Sequence, residues 1–315
     1  MSAGPSLDDI QVARRRIAPF IHRTPVMTCS ALDAMAGARL YFKCENLQKT
    51  GSFKIRGATN AILQLSATEA GRGVVTPSSG NHAAAVARAA AARGIAAHIV
   101  MPRNAPAVKV KAVEGYGGVI TFCEPTIEAR EAATKRLLEE TGGVLVHPYN
   151  DRRIIAGQGT AALELLEDVP ELDVLLVPVS GGGLLSGNAI AATGTRSSVR
   201  VIGCEPANAD DAYRSVKAKR IQKNETTDTI ADGLRAQLCD LTFGIIRERV
   251  DEIVRVTEEE IVAAMRLVWE RMKLVIEPSA AVALAPAIAR SIKADGKRVG
   301  VLLSGGNVEL SSLPF

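Results

Sequence analysis

The chain has 315 residues, of which 47% are hydrophobic, and a formal net charge of +4. This length allows one large or two smaller domains, and the apolar fraction is enough for a sizeable core. The charge is small and dispersed, without the arginine-rich run or aromatic interleaving of a nucleic-acid groove, so we expect no nucleic-acid partner.

The sequence shows no sign of a membrane or secretory location. Residues 1–5 lack a basic region and an apolar stretch, and no apolar run approaches membrane-spanning length. The five cysteines are scattered and include no Cys-x-x-Cys pair, which argues against a disulfide framework or a thiolate zinc site. We therefore predict a soluble, cytoplasmic protein with reduced cysteines and no membrane partner.

The first part of the chain predicts a helix over residues 7–21, a strand over 39–44 and a helix over 52–65. From residue 73 onward, short apolar runs alternate with helical patterns, which is typical of parallel strands covered by helices on both faces. The strands predicted there are 73–76, 96–101, 119–122, 144–147, 173–179, 199–204, 252–256 and 298–303, and helices are predicted over 81–93, 107–116 and 127–140.

Glycine and proline at residues 142, 143 and 148 mark a seam between two predicted α/β lobes. In open α/β folds the loops at the carboxyl ends of parallel strands converge on one edge. The crevice between the lobes is therefore the expected ligand site.

Lys54 stands in the first turn of the helix predicted over residues 52–65. The positive end of the helix dipole and any burial favour the neutral amine, which is the form that attacks carbonyls and makes a Schiff base. The alternative is an exposed lysine with Arg56 as its basic neighbour. This stretch by itself leaves both interpretations open.

A glycine-rich turn follows the strand predicted over residues 173–179 and opens a helix. Residues 180–187 read Ser-Gly-Gly-Gly-Leu-Leu-Ser-Gly. Backbone N–H groups at such a junction can bind a phosphate, although the spacing is neither the dinucleotide fingerprint nor a Walker loop. A flexible turn is the alternative, and we favour the phosphate site.

Other strand ends carry dense polar residues. Residues 78–82 read Ser-Ser-Gly-Asn-His and residues 304–307 read Ser-Gly-Gly-Asn, and helix capping explains only part of each set. Glu205 and Asp211 also follow a strand and could supply oxygen ligands to magnesium or calcium. A solvated acidic loop is the alternative for this pair, and the residues alone favour it.

Six motifs occur together, at residues 49–58, 78–82, 156–160, 180–184, 231–233 and 303–307. Their combination resembles the fold-type II pyridoxal-phosphate enzymes, and within them the serine racemase and serine/threonine dehydratase family. The resemblance covers almost the whole chain. It implies a two-lobed α/β fold of the tryptophan synthase β type, with a large cofactor-binding domain (1–49 and 148–315), a small mobile domain (50–147) and a homodimer.

The resemblance implies that pyridoxal 5′-phosphate is held by Lys54 and that the Ser304 hydroxyl faces its pyridine nitrogen. A neutral partner there steers electrons toward expelling a β-substituent. Lys54 and Ser79 would act as acid/base groups on opposite faces of the substrate. The other implied cofactor contacts are Phe53 at the ring, Asn81 at the ring hydroxyl, Gly181, Gly182, Gly183 and Leu184 at the phosphate, and Gly233; the implied substrate contacts are Ser78, Ser79, Asn81, His82 and Arg130.

The resemblance also makes Glu205, the Ala209 carbonyl and Asp211 an expected divalent-cation site, for Mg²⁺ first and Mn²⁺ or Ca²⁺ as alternatives. Residues 83–85 are alanines where many relatives have a glutamine, which argues against nucleotide activation through that side chain. Arg235 lies close to a position where the racemase branch often has serine, and an arginine there could bind a second carboxylate. The chain also ends too soon after residue 307 for the regulatory domain of biosynthetic threonine dehydratases.

We therefore predict a pyridoxal-phosphate-dependent dehydratase, a carbon–oxygen lyase that converts a small β-hydroxy-α-amino acid into a 2-oxo acid and ammonia. Serine, threonine and 3-hydroxyaspartate are the candidate substrates, and Arg235 favours 3-hydroxyaspartate. The alternatives are a serine racemase, in which Ser79 returns a proton to the substrate, a β-replacement synthase, and a carrier that binds the cofactor without turnover.

Overall fold

The computed structural model describes residues 4–315, so the first three residues of the N-terminal segment interpreted above lie outside the described residues. Local sequence sets several bounds: Ser6 and Asp9 form a capping box at the start of the first helix, and Gly94, with φ of +71°, ends the alanine-rich helix.

The strands are β1 (Val26–Met27), β2 (Arg39–Cys44), β3 (Val74–Pro77), β4 (Ala97–Pro102), β5 (Val119–Cys123), β6 (Val144–Leu145), β7 (Val174–Pro178), β8 (Arg200–Pro206), β9 (Glu252–Val256) and β10 (Arg298–Leu303). The α-helices are α1 (Leu7–Ile17), α2 (Ser30–Ala36), α3 (Lys54–Leu63), α4 (Ala67–Arg72), α5 (Asn81–Arg93), α6 (Ala107–Gly115), α7 (Ile127–Thr141), α8 (Arg152–Asp168), α9 (Gly183–Thr195), α10 (Asp211–Ala218), α11 (Asp240–Arg249), α12 (Glu258–Leu267), α13 (Pro278–Ala281) and α14 (Ala285–Ile288).

The strands form two sheets, a large one with the order β1-β2-β10-β7-β8-β9 and a small one with the order β5-β4-β3-β6. Every pairing is parallel apart from that of β1 with β2. The predicted fold class, parallel-rich sheets flanked by helices, is thus confirmed. Strand β1 has two residues, too few to give a periodic pattern, so the sequence does not predict it.

Apolar side chains pack on both faces of the large sheet. Along β7 and β10, Leu176 and Val301 belong to one core cluster, whereas Leu175 and Leu302 belong to another. Successive strand residues point to opposite faces, so both faces are covered by helices, as expected for central parallel strands. The five cysteines are free thiols, and within the described range no helix has the length and apolar character needed to cross a bilayer.

Candidate active site

The predicted ligand-binding residues follow strands whose carboxyl ends meet. Strands β2, β10 and β7 are neighbours in the large sheet and lead to Lys54, to Ser304 and to the glycine turn, respectively. The N–H of Phe53 donates to the carbonyl of Ser304 (3.0 Å), which joins the first two segments. Strand β3 of the small sheet leads to the serine-rich loop, residues 78–82.

Lys54 lies in the first turn of α3, as predicted, although the helix starts at Lys54, two residues later than predicted. Its amine donates a hydrogen bond to the carbonyl oxygen of Pro148 (3.2 Å). Burial lowers the pKa of Lys54 to about 8, against the opposing influence of the Glu277 carboxylate. A neutral amine, the nucleophilic form, is therefore accessible close to neutral pH.

Arg56 is fully buried, which excludes the alternative of an exposed basic pair with Lys54. Its guanidinium donates to both carboxylate oxygens of Glu45 (2.7 and 2.8 Å) and of Glu164 (2.9 and 2.8 Å). The ammonium of Lys43 completes this buried network at 2.7 Å from Glu164. Because every charge has partners, the network ties the start of α3 to the large sheet and to α8.

The lowered pKa of Lys54 predicts a specific pH dependence for the apoprotein. Trapping of a small aldehyde on Lys54 with borohydride should rise with pH to a plateau, with its midpoint near pH 8 instead of the ordinary 10.5. Glu277→Gln should move the midpoint lower still, because the Glu277 carboxylate raises the pKa of Lys54. A midpoint near the ordinary lysine value, measured by mass spectrometry of the trapped peptide, would contradict burial of the amine.

The glycine turn connects β7 to α9. Gly182 has φ of +85°, a conformation that favours glycine. A Cβ atom at Gly181 would stand 2.4 Å from the ring of Tyr149, and one at Gly182 would stand 2.7 Å from the Cβ of Thr242. The N–H groups of residues 181–185 donate to no acceptor within residues 4–315. Free N–H groups at a helix N-terminus make an anion cradle, so this geometry fits the predicted phosphate site.

The serine-rich loop brings Asn81 and His82 to the first turn of α5. The Asn81 amide nitrogen donates to both oxygens of Glu277 (2.9 and 3.1 Å), and its oxygen accepts from Asn307 (2.9 Å). His82 donates through Nε2 to the Val146 carbonyl (3.0 Å), so its Nδ1 carries a lone pair; that atom is buried and has no partner in the described residues. An unpaired buried acceptor of this kind is unusual and is consistent with a bound ligand.

The two serines of this loop differ in their hydrogen bonding. The Ser78 hydroxyl accepts from the Gly80 N–H (3.3 Å), whereas the Ser79 hydroxyl has no partner within the part of the chain that the structure describes. Burial and the charge of Lys54 lower the pKa of the adjacent His82 to about 3, so that ring is neutral at physiological pH.

The end of β10 carries a hydroxyl. Ser304 is 3% exposed, and a Cβ atom added at the following Gly305 would stand 2.6 Å from a carboxylate oxygen of Glu277. Burial, reinforced by the charge of Asp232, raises the pKa of Glu277 to about 7. Gly233, another predicted cofactor contact, donates its N–H to the hydroxyl of Ser279 (3.0 Å).

The two predicted substrate arginines have different surroundings. Arg235 is exposed and donates to the Thr229 carbonyl (2.6 Å) within its own loop. Arg130, on α7, is half-buried, and its side chain makes no hydrogen bond or ion pair within residues 4–315. Among the described residues, neither arginine forms a hydrogen bond with another predicted site residue, and their roles in substrate binding stay predictions.

The predicted cation ligands are buried together. Both oxygens of Glu205 accept N–H groups from the first turn of α10, at 3.0 and 2.8 Å, and one oxygen of Asp211 accepts from the Leu238 N–H (2.8 Å). The other oxygen, Oδ1 of Asp211, is buried without a partner in the described residues. Burial raises the pKa of Glu205 well above its usual range and that of Asp211 to about 6.

The sequence interpretation missed two residues of this site, Glu277 and Tyr149. Glu277 stands between Ile276 and Pro278 in an apolar stretch, and a lone carboxylate in such a stretch signals a buried role. Tyr149 directly follows the His-Pro pair of the predicted seam and packs over Gly181. Neither side chain has a motif around it, so only its position in the fold shows its part in the site.

The fold and the site define a class of protein: an α/β enzyme with a half-buried lysine amine suited to a carbonyl and a backbone cradle suited to a phosphate. A family model described as "Pyridoxal-phosphate dependent enzyme" matches residues 17–305. The chain belongs to this family, and the predicted resemblance is confirmed. The donor set fits the cofactor, because an amine with a lowered pKa, unpaired N–H groups and an unpaired buried histidine nitrogen all belong to segments that follow strand ends.

The chain is similar to several characterised relatives over nearly its whole length. It is 51% identical over 312 residues to a serine racemase of Oryza sativa subsp. indica, covering 98% of this chain and 92% of the relative. It is 48% identical over 311 residues to a β-hydroxyaspartate dehydratase of Paracoccus denitrificans, covering 99% of both. Among solved structures, maize serine racemase superimposes with a TM-score of 0.96 at 50% identity, covering 98% of this chain and 95% of that one.

Proposed function

We propose that this enzyme dehydrates a small β-hydroxy-α-amino acid and releases a 2-oxo acid and ammonia. The observation that carries the proposal is the hydroxyl of Ser304, held at 3% exposure where the cofactor's pyridine end would lie by resemblance. A neutral partner there favours loss of a β-substituent. The dehydratase relative in Paracoccus denitrificans supports the same reaction.

The glycine turn and Lys54 have different roles in this proposal. The free N–H groups of the glycine turn would hold the cofactor's phosphate, and the Lys54 amine would hold its carbonyl carbon. When bound, the cofactor supplies an electron sink that makes the Cα proton of the substrate acidic. Lys54, with its pKa near 8, suits the removal of that proton and its delivery to the departing hydroxyl.

The serine-rich loop would bind the substrate's α-carboxylate. Ser78 offers a hydroxyl, and the first turn of α5 offers backbone N–H groups where the helix dipole favours an anion. The Asn81 amide nitrogen is already bonded to Glu277, so its part is to fix the start of the helix. His82 is neutral and fixed by Val146, so it orients the loop without taking part in proton transfer near neutral pH. The loop therefore presents the substrate between Lys54 and Ser79.

Racemisation is a second candidate function, favoured by the unpaired hydroxyl of Ser79 and by the serine racemase relatives. A proton held at Ser79 could return to Cα on the face opposite Lys54 and yield the other enantiomer. Incubation of the holoenzyme with L-serine, L-threonine and each 3-hydroxyaspartate isomer tests the two functions. A 2-oxo acid as main product supports dehydration, and the opposite enantiomer as main product would replace dehydration by racemisation.

The proposed substrate class is a hydroxy amino acid with a second carboxylate. By resemblance, Arg235 belongs to a substrate loop and Arg130 aligns with a family arginine on the carboxylate side of the substrate. Arg235→Ala should lower the ratio of kcat/KM for 3-hydroxyaspartate over serine by about 10- to 100-fold, the usual value of a lost charge-assisted hydrogen bond. Arg130→Ala is the matched comparison. An unchanged ratio in Arg235→Ala would eliminate its role, and a shift in Arg130→Ala alone would assign the second carboxylate to Arg130.

A divalent cation, Mg²⁺ first, is proposed at Glu205, the Ala209 carbonyl and Asp211. Two buried carboxylates with raised pKa values and one unpaired oxygen fit a cation. No cluster of three or more potential His, Cys, Asp or Glu ligands occurs in residues 4–315, so the site depends on the backbone carbonyl and on water. A homodimer and a cytoplasmic location are further proposals from the resemblance.

Mg²⁺ at 100 times its Kd should stabilise the enzyme by about 2.7 kcal/mol, and a chelator should reverse the effect. Asp211→Asn should remove this stabilisation. Asp210→Asn, one residue earlier, half-buried and paired with Arg214 and Arg255, is the control that should keep it. Thermal unfolding with and without Mg²⁺ measures the stabilisation in each variant. A wild-type unfolding midpoint that changes with neither Mg²⁺ nor the chelator would eliminate the site.

A further inference from the structure

The motif at residues 156–160 (Ala-Gly-Gln-Gly-Thr) supplies none of the predicted cofactor or substrate contacts, and it is linked to the site described above through the Thr160 hydroxyl, which accepts from Arg56 (3.1 Å). It belongs to α8, which packs on α3 on one side and on α9 on the other. Helix α3 begins with Lys54, and α9 begins at the glycine turn. Helix α8 therefore separates the two elements that would hold opposite ends of the cofactor.

The contact between α8 and α3 is backbone against backbone. A Cβ atom at Gly157 would stand 2.6 Å from the Cα of Gly57 and 2.6 Å from the Arg56 carbonyl oxygen. The Gln158 side chain accepts the otherwise free N–H of Gly57 (3.2 Å). An ordinary contact needs at least 3.4 Å, so an alanine at position 157 would push α3 away by close to 1 Å.

The contact between α8 and α9 has the same character on another face. A Cβ atom at Gly159 would stand 2.5 Å from the carbonyl oxygen of Gly187, and one at Gly187 would stand 2.3 Å from the carbonyl oxygen of Ile155. Residues two apart on a helix point about 200° apart, which is why Gly157 meets one helix and Gly159 the other. Gly157 and Gly159, within a single turn of α8, thus set the distance from α8 to α3 and the distance from α8 to α9.

We propose that α8 is a spacer that fixes the distance between Lys54 and the phosphate-binding turn, and that Gly157 and Gly159 are positioning residues for cofactor binding. This inference rests on the proposed function, since it assumes a ligand held at both ends. Neither glycine touches the cofactor. Each acts through the helix that it allows to approach, α3 for Gly157 and α9 for Gly159.

A change in the distance between Lys54 and the glycine turn should weaken a ligand that binds to both of them, but not a ligand that binds to only one. Pyridoxal 5′-phosphate binds with high affinity because its second contact forms intramolecularly, and that advantage depends on the spacing of the two sites. In catalysis a misplacement of about 1 Å can cost about 100-fold in rate, and we expect a loss of up to that size in the affinity of a ligand held at two points. Pyridoxal alone uses the lysine, and inorganic phosphate alone uses the turn, so neither depends on the spacing.

The test measures three ligands on the apoprotein: pyridoxal 5′-phosphate, pyridoxal and inorganic phosphate. In Gly157→Ala and in Gly159→Ala we expect the affinity for pyridoxal 5′-phosphate to fall about 10- to 100-fold, while those for pyridoxal and phosphate change less than about 3-fold. Gly244→Ala is the matched control, because Gly244 lies within α11 and a Cβ atom there has no neighbour within 4 Å. That variant should keep all three affinities.

Other outcomes overturn the proposal. If all three affinities fall together in both variants, the glycines maintain the fold and not the spacing; if none changes, the helices tolerate the displacement. Gly157→Ala displaces α3 and Gly159→Ala displaces α9, so the three affinities of either variant test the proposal if the other variant does not fold. A wild-type protein that binds no pyridoxal 5′-phosphate would instead overturn the proposed function.

Discussion

Lys54→Ala should abolish the visible absorbance of the bound cofactor and lower turnover by at least about 10⁴-fold. The variant loses the group that would hold the cofactor's carbonyl carbon and the group that would take the Cα proton, and an acid/base group alone is worth about 10² to 10⁴. Absorbance spectra and 2-oxo acid release from the same sample measure both losses. Phosphate affinity should remain, because the glycine turn is untouched.

Lys135→Ala is a suitable control for this experiment. Its side chain is 80% exposed on α7, so the variant removes one positive charge without changing the site. It should keep the spectrum and the turnover of the wild type. Normal turnover in Lys54→Ala would show that another amine carries the reaction and would overturn the site assignment.

Ser79→Ala should leave the cofactor spectrum intact and reduce turnover by about 10²- to 10⁴-fold for one enantiomer of the substrate. Lys54 and Ser79 are proposed to act on opposite faces of Cα, so the loss of one hydroxyl removes proton transfer on one face only. Dehydration of the enantiomer whose proton Lys54 takes should persist. Racemisation needs both faces and should disappear.

The enantiomers serve as internal controls for this variant. Separate assays with D- and L-substrate, together with exchange of the Cα proton in deuterium oxide, show which face has been lost. Equal loss for both enantiomers would mean that Ser79 positions the substrate instead of transferring a proton. Unchanged rates for both would support a protein in which Ser79 has no catalytic part, including the carrier alternative.

Local patterns in the sequence were sufficient to predict much of the fold. Strands β2, β9 and β10 and helix α5 have the predicted bounds, because each is bordered by a turn or capping residue. Helix α1 ends at Ile17, four residues before the predicted end, since the sequence keeps a helical spacing of apolar residues beyond the last hydrogen-bonded turn. Such ends depend on packing as well as on pattern.

The candidate site was predictable where it rests on contiguous motifs. Lys54 at a helix start, the glycine turn and the serine-rich loop follow strand ends, and parallel strands bring such ends together. Glu277 was not predictable, because its partner Asn81 is 196 residues away. The surroundings of Arg235 were not predictable either, since its hydrogen bond to Thr229 depends on a loop conformation.

The sequence by itself determined the class of fold, the family and the residues that follow each strand, because periodicity, turn residues and motifs are local properties of the chain. Only the tertiary structure decided which charges are buried and what they meet. Arg56 reaches a carboxylate 108 residues away, and Lys54 reaches a carbonyl 94 residues away. The pKa of Lys54 is lowered by burial, and that burial exists only in the folded chain.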